Sequence, residues 1–72
     1  MNELRLNGKP SVRIKARHIR NYKRGGGKLQ RLFDCEGDEV WFPDQFIQIE
    51  AGGETILIEQ WLYDKKVADG QL

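Results

Sequence analysis

Apolar and polar residues alternate with a period of two over several short stretches, and glycines punctuate them. Val12, Ile14 and Ala16 fall on one face of an extended segment, with Arg13, Lys15 and Arg17 on the other. Such alternation marks a half-buried strand, and the pattern predicts one over residues 12–22. Gly25-Gly26-Gly27 then interrupts it, with Lys23, Arg24 and Lys28 on its shoulders, as at a hairpin tip. Residues 29–36 form the returning strand. Gly37-Asp38 suits a two-residue type II′ turn, which takes glycine first, and residues 39–42 form a third strand. That register sets Cys35 opposite Val40 and Phe33 opposite Phe42. If Gly25-Gly26 is the first turn, Ala16 meets Cys35 and His18 meets Phe33 on the same face. Arg17 then meets Asp34, and Lys15 meets Glu36, on the opposite face. A three-residue Gly25–Gly27 loop shifts this pairing.

Pro43-Asp44-Gln45-Phe46 reads as a tight turn. Residues 46–50 and 55–59 flank Gly52-Gly53 as a second hairpin, pairing Ile49 with Ile56 and Ile47 with Ile58. Residues 59–68 read as a short closing helix, with Glu59 early and Lys65 and Lys66 late, as the helix dipole prefers. Gly70 stands where a C-terminal cap glycine belongs. Ahead of all this, Leu4 and Leu6 precede an Asn7-Gly8 turn, and Pro10 demotes residues 1–11 to an edge strand or a partly flexible arm. The elements together predict a mainly β domain over residues 12–70: a small five-stranded barrel or half-barrel, SH3-like or OB-like, with a short C-terminal α-helix.

Charge sharpens this picture. Residues 1–33 carry ten cations against Glu3 alone, a net +9, and residues 34–72 carry ten acids against Lys65 and Lys66, a net −8. The whole 72-residue chain is +1. A split of this kind suggests a polyanion partner for the basic half, although some cations will pair across strands with the acids. A chain this short buries only ~60% of its unfolded surface, so a homodimer or a tightly held partner is expected. Cys35 is the one cysteine and His18 the one histidine. There is neither a disulfide nor a zinc-type ligand set, which suits a reducing compartment. The first residues hold no apolar signal region and no run approaches the ~20 residues of a membrane span. A soluble, cytoplasmic protein with no membrane association is expected.

Catalytic chemistry finds little to work with. Ser11 and Thr55 are the only hydroxyls besides the tyrosines. His18 and Cys35 approach each other across strands, but both fall on the predicted core face. The acidic run 34–39 lacks EF-hand spacing, and residues 23–28 lack the Gly-Lys-Ser/Thr of a phosphate-binding loop. The chain is expected to be no enzyme and to hold no metal and no cofactor. Trp61 and Leu62 are expected to dock the helix. Trp41 shares the non-core face with Leu32 and Ile19. The helix is expected to cover that patch; left open, it marks a protein or base-stacking contact.

Val12-Arg13-Ile14-Lys15-Ala16-Arg17, Leu32-Phe33, Gly37-Asp38-Glu39-Val40-Trp41-Phe42-Pro43 and Glu59-Gln60-Trp61-Leu62 together resemble small phage and prophage SH3-like β-barrel proteins of unknown function, over about residues 12–66. The long basic hairpin with three glycines departs from their usual pattern. The resemblance implies a phage origin, hence the host cytosol, and a small barrel. It implies no activity and carries over no site residue.

Three functions compete. In the first, the chain contacts nucleic acid, DNA or RNA, through the basic hairpin. Arg17, Arg20, Lys23, Arg24, Lys28 and Arg31 meet phosphates, Gly25, Gly26 and Gly27 approach the backbone closely, and Tyr22 and His18 add stacking. In the second, it is a phage anti-defence inhibitor, for example an anti-CRISPR protein, that binds a host defence protein. Asp34, Glu36, Asp38, Glu39, Trp41 and Asp44 form its contact surface, and the acidic half acts as a nucleic-acid mimic. In the third, opposite charges drive head-to-tail self-assembly. The first hairpin's stem is expected to be neutralised internally by Glu36 and Asp34, leaving free charge at its tip, from Arg20 to Arg31.

Overall fold

The computed structural model describes residues 4–23 and 25–72. The chain is mainly β, a half-barrel of seven strands in two sheets with a single C-terminal helix. The strands are β1 (Arg5–Leu6), β2 (Lys9–Lys15), β3 (Arg17–Lys23), β4 (Leu29–Cys35), β5 (Asp38–Pro43), β6 (Ile47–Ile49) and β7 (Thr55–Glu59), followed by α1 (Gln60–Ala68). One sheet has the order β1-β2-β7-β6 and the other β3-β4-β5. All pairings are antiparallel.

The single strand expected over 12–22 is two strands in different sheets. The chain turns the corner at Ala16, which is buried and donates its backbone N–H to the Glu54 carbonyl at 3.0 Å. A strand that leaves one sheet and enters the next does so at such a bend. Lys15 therefore pairs with Thr55 of β7, not with Glu36. The segment read as an arm contributes β1, at the edge of its sheet, and the start of β2; residues 1–3 lie outside the described residues.

The second hairpin forms in the expected register, Ile49 with Ile56 and Ile47 with Ile58. The β4–β5 turn does not. It is formed by Glu36-Gly37, so Phe33 faces Val40 and Cys35 faces Asp38. Glu36 and Gly37 have φ of +56° and +103°, the two positive values of a type I′ turn, whose twist matches the flanking strands. The Asp34 carboxylate also accepts the Gly37 N–H at 2.8 Å, which favours this turn over Gly37-Asp38. The two-residue displacement keeps every side chain on its predicted face. At Gly37, alanine is expected to cost about 1 kcal/mol for its left-handed φ, lowering the melting temperature by roughly 4–8 °C. Thermal denaturation followed by circular dichroism checks this; an unchanged midpoint would mean the turn relaxes into another type.

Phe33, Val40 and Phe42 from one sheet meet Ile47, Ile56 and Ile58 from the other, and Leu62 of α1 closes the end. Phe33 and Phe42 pack edge to face at 5.9 Å, and the Lys66 ammonium lies 5.7 Å over the Phe42 ring. Residues 43–46, read as a tight turn, hold a short 3-10 helix at Asp44–Phe46. The end of α1 is built as expected. Gly70, at φ +77°, donates to the Val67 carbonyl and Gln71 to that of Lys66, which satisfies the last carbonyls of the helix.

Glu59 departs from its expected role as an early helical acid. It stands at the N-cap of α1 without a side-chain capping hydrogen bond and is 1% exposed. Its carboxylate accepts the Asn7 amide at 2.9 Å and the Trp61 indole N–H at 2.7 Å, with Lys9 Nζ at 3.8 Å. One side chain thus ties the β1–β2 turn to the start of the helix. Trp61, expected to dock the helix, is half exposed and packs its ring edge-on against Phe46 at 5.0 Å.

Candidate functional site

Strand β3 is exposed along all seven of its residues and forms one edge of its sheet. Its register with β4 begins as expected, Arg17 with Asp34 and His18 with Phe33, then shifts by one residue between His18 and Arg20. Beyond the shift Arg20 faces Leu32, Asn21 faces Arg31, Tyr22 faces Gln30 and Lys23 faces Leu29. The stem follows the register of a two-residue glycine turn and the tip that of a three-residue one. A bulge at Ile19 reconciles them.

The bulge decides which residues share a face. Without it, Ile19 would face Leu32, and Arg20 and Tyr22 would point with Phe33 toward the core side. An extra residue flips the alternation and re-aims the side chains beyond it. Arg20 and Tyr22 therefore stand on the outer face with Leu32 and Trp41, which are themselves register partners. The Arg20 guanidinium lies 5.9 Å over the Trp41 ring, and Tyr22 meets that ring edge-on at 6.4 Å. Leu32 lies between Arg20 and Trp41 and is 3% exposed, whereas Tyr22 is 56% and Ile19 44% exposed. The helix does not cover this patch, contrary to expectation: Leu62 and Lys66 address Phe42, on the other side of β5.

The cations divide into two groups. Arg13 grips Glu50 with two hydrogen bonds of 2.7 and 2.8 Å; a side-chain hydrogen bond and the charge of Glu50 raise the Arg13 pKa. The Glu50 carboxyl is held below its ordinary range by hydrogen bonds from Arg13 and then Thr55. Lys9 approaches Glu59. Arg31, expected at the interface, points to the other face and is held there by Asp44 and Asn21. Its position opposite Asn21 and Phe42 follows from the pleat. In contrast, the side chains of Arg20, Lys23 and Lys28 make no hydrogen bond or ion pair with any described residue, and that of Arg20 engages only the Trp41 ring. Arg17 is intermediate. It shares with Lys15, Asp34, Glu36 and Glu54 an open cleft of about 360 Å³ at the Ala16 corner, without a direct ion pair to a described residue. Gly25, Gly26 and Gly27 are exposed at the tip; Arg24 lies outside the described residues.

The acidic set is dispersed. Asp34 is engaged by its own turn and Asp44 by Arg31, while Glu36, Asp38 and Glu39 are exposed around the β4–β5 turn. Trp41, placed with them from the sequence, belongs to the basic face. Burial raises the Cys35 thiol to about 11, with Asp34, Asp38 and Glu36 adding to the effect, opposite to what a nucleophile needs. His18 donates from Nε2 to Asn21 Oδ1 and its ring packs 5.4 Å from Phe33. Among the described residues no group of three or more His, Cys, Asp or Glu could hold a metal, and no helix is long and apolar enough to cross a membrane. The sequence missed the bulge and therefore the company Trp41 keeps. The conflict between the two-residue and three-residue loop registers was the signal that could have found it.

No protein family, curated protein or solved structure matches the chain.

Proposed function

We propose that this protein binds nucleic acid through the outer face of the β3-β4-β5 sheet and the adjoining glycine-rich tip. The observation that carries the reading is the sorting of charge. Lys9, Arg13 and Arg31 are matched by acids, while Arg20, Lys23 and Lys28 remain unmatched by any described residue and cluster on one hairpin. Arg17 continues the row toward the stem. Cations without internal partners are available to neutralise phosphates, and each one that does so releases condensed counterions. The inhibitor reading keeps Glu36, Asp38 and Glu39, exposed around the β4–β5 turn, but has less behind it: Asp34 and Asp44 are engaged within the chain and Trp41 lies on the basic face. The host would be that of a phage, as the resemblance implies, with the protein in its cytosol.

Contacts from about four cations predict a slope near −3 for log K against log salt. Between about 50 and about 200 mM salt the affinity for a short labelled oligonucleotide should fall by roughly 50-fold. Fluorescence anisotropy measures this directly. An affinity that moves less than about twofold over that range would remove phosphate contact as the basis of binding.

A further inference from the structure

The geometry points to a single-stranded nucleic acid as the ligand, with its bases stacked on the outer sheet face around Tyr22 and Trp41; this rests on the proposed nucleic-acid binding. Phosphate attraction explains the cations of that face but not its rings. Tyr22 is more exposed than any other large hydrophobic residue described, and Ile19, at the bulge of the same strand, is exposed as well. Trp41 is only partly buried, and its described ring contacts are Arg20 and Tyr22. Within a few ångströms the face therefore offers two aromatic rings, a guanidinium already lying over one of them, and unmatched charge toward the tip. Bases splayed from a single strand stack on such surfaces, and arginine adds to the stacking.

A duplex is a poorer fit, for steric reasons. Its bases are reached only through the grooves, and a major groove about 12 Å wide admits a helix or a two-stranded ribbon. Tyr22 and Trp41 stand on strands separated by β4, so the face that carries both is three strands wide. At ~4.8 Å between strands, that backbone span with its side chains exceeds the groove. A duplex could meet the Gly25–Gly27 tip and its cations, but would leave the rings unused. A single strand lying across the face uses both.

The test compares a labelled oligothymidylate and an oligouridylate with a blunt duplex of matching length, by anisotropy at low salt, on the full chain. Either single strand should bind at least tenfold more tightly than the duplex. Tyr22→Ala should weaken single-strand binding by roughly tenfold and leave duplex binding and the salt slope unchanged, while Tyr22→Phe keeps the ring and restores affinity. Binding should quench tryptophan emission, and the quench should persist in Trp61→Phe and vanish in Trp41→Phe. If duplex and single strands bind equally, or Tyr22→Ala weakens both alike, the single-strand inference falls while nucleic-acid binding stands. If none of the three probes binds, the functional reading falls with it.

Discussion

Replacing Arg20, Lys23 and Lys28 together by glutamine is expected to weaken nucleic-acid binding by roughly 100-fold, which is about 2.7 kcal/mol. The slope of log K against log salt should flatten by about two to three. These side chains make no ion pair with any described residue, so their loss should leave the fold intact. The largest internal interaction removed is the contact of Arg20 with Trp41, worth about 0.5–1 kcal/mol at an exposed site. The matched control is Arg13→Gln. It removes the same kind of charge from a cation that Glu50 already holds at 2.7 Å, and affinity should change by less than about twofold, since a matched charge has little left for a phosphate. Anisotropy on both variants, with melting curves alongside, checks the pair. A loss in Arg13→Gln equal to the triple variant's loss per charge removed would mean that net charge, not the hairpin, governs binding.

The second large effect is on stability. Glu59→Ala is expected to cost about 3 kcal/mol, because it removes two hydrogen bonds to a carboxylate, from the Trp61 indole N–H and the Asn7 amide, and hydrogen bonds to charged groups contribute about 1.5–3 kcal/mol each. A domain of this size has roughly 4–11 kcal/mol in total. The melting temperature should fall by roughly 10–20 °C. Glu59→Gln keeps one acceptor oxygen and should lose less than half as much. The same carboxylate makes stability depend on pH. Burial alone would raise its pKa, but the hydrogen bonds from Asn7 and Trp61 and the charge of Lys9 outweigh burial and bring it below its ordinary value. Between the folded value and the unfolded value, about 4.3, the unfolded chain binds the extra proton. The contribution of Glu59 is therefore complete above the unfolded pKa and is lost as pH falls through the folded one. Denaturant titrations at descending pH should show this acid limb shallower in Glu59→Gln. An identical limb would place the sensitivity in other carboxyls, Glu50 first, whose pKa is lowered by Arg13 and Thr55.

What could be read from the sequence divides along physical lines. The β6–β7 hairpin, the Asn7-Gly8 turn and the helix C-terminus were legible because each is local: turn residues at fixed offsets beside an alternating pattern. The mainly β half-barrel was legible from the same alternating stretches, but its strand count was not: seven strands stand where five were expected, because residues 12–22 divide at Ala16 and the segment read as an arm supplies β1. The corner at Ala16 was not, because an alternation of Val12, Ile14 and Ala16 looks the same whether the strand continues or changes sheet. Only the burial of Ala16 against the β6–β7 loop marks the difference. Glu59 was misread because its partners lie far off in sequence, Asn7 above all. At the candidate site, charge counting pointed to the hairpin but could not separate matched from unmatched cations. Arg31 and Arg20 look alike in the sequence, and the pleat sends one to Asp44 and the other to Trp41.

The bulge at Ile19 gives this strand an unusual mutational grammar. The side on which Arg20 and Tyr22 emerge is set by a count of residues, not by their chemistry. Ile19 can be exchanged for many side chains without moving them, and losing its codon would leave His18 opposite Phe33 and Arg20 opposite Leu32, with a regular alternation and no bulge. A lineage carrying this chain would thus tolerate a one-codon deletion at position 19 as well as a substitution there, which is not true of the paired positions on either side. An experimenter could use that deletion to remove the bulge while keeping both the face and every charge the protein carries.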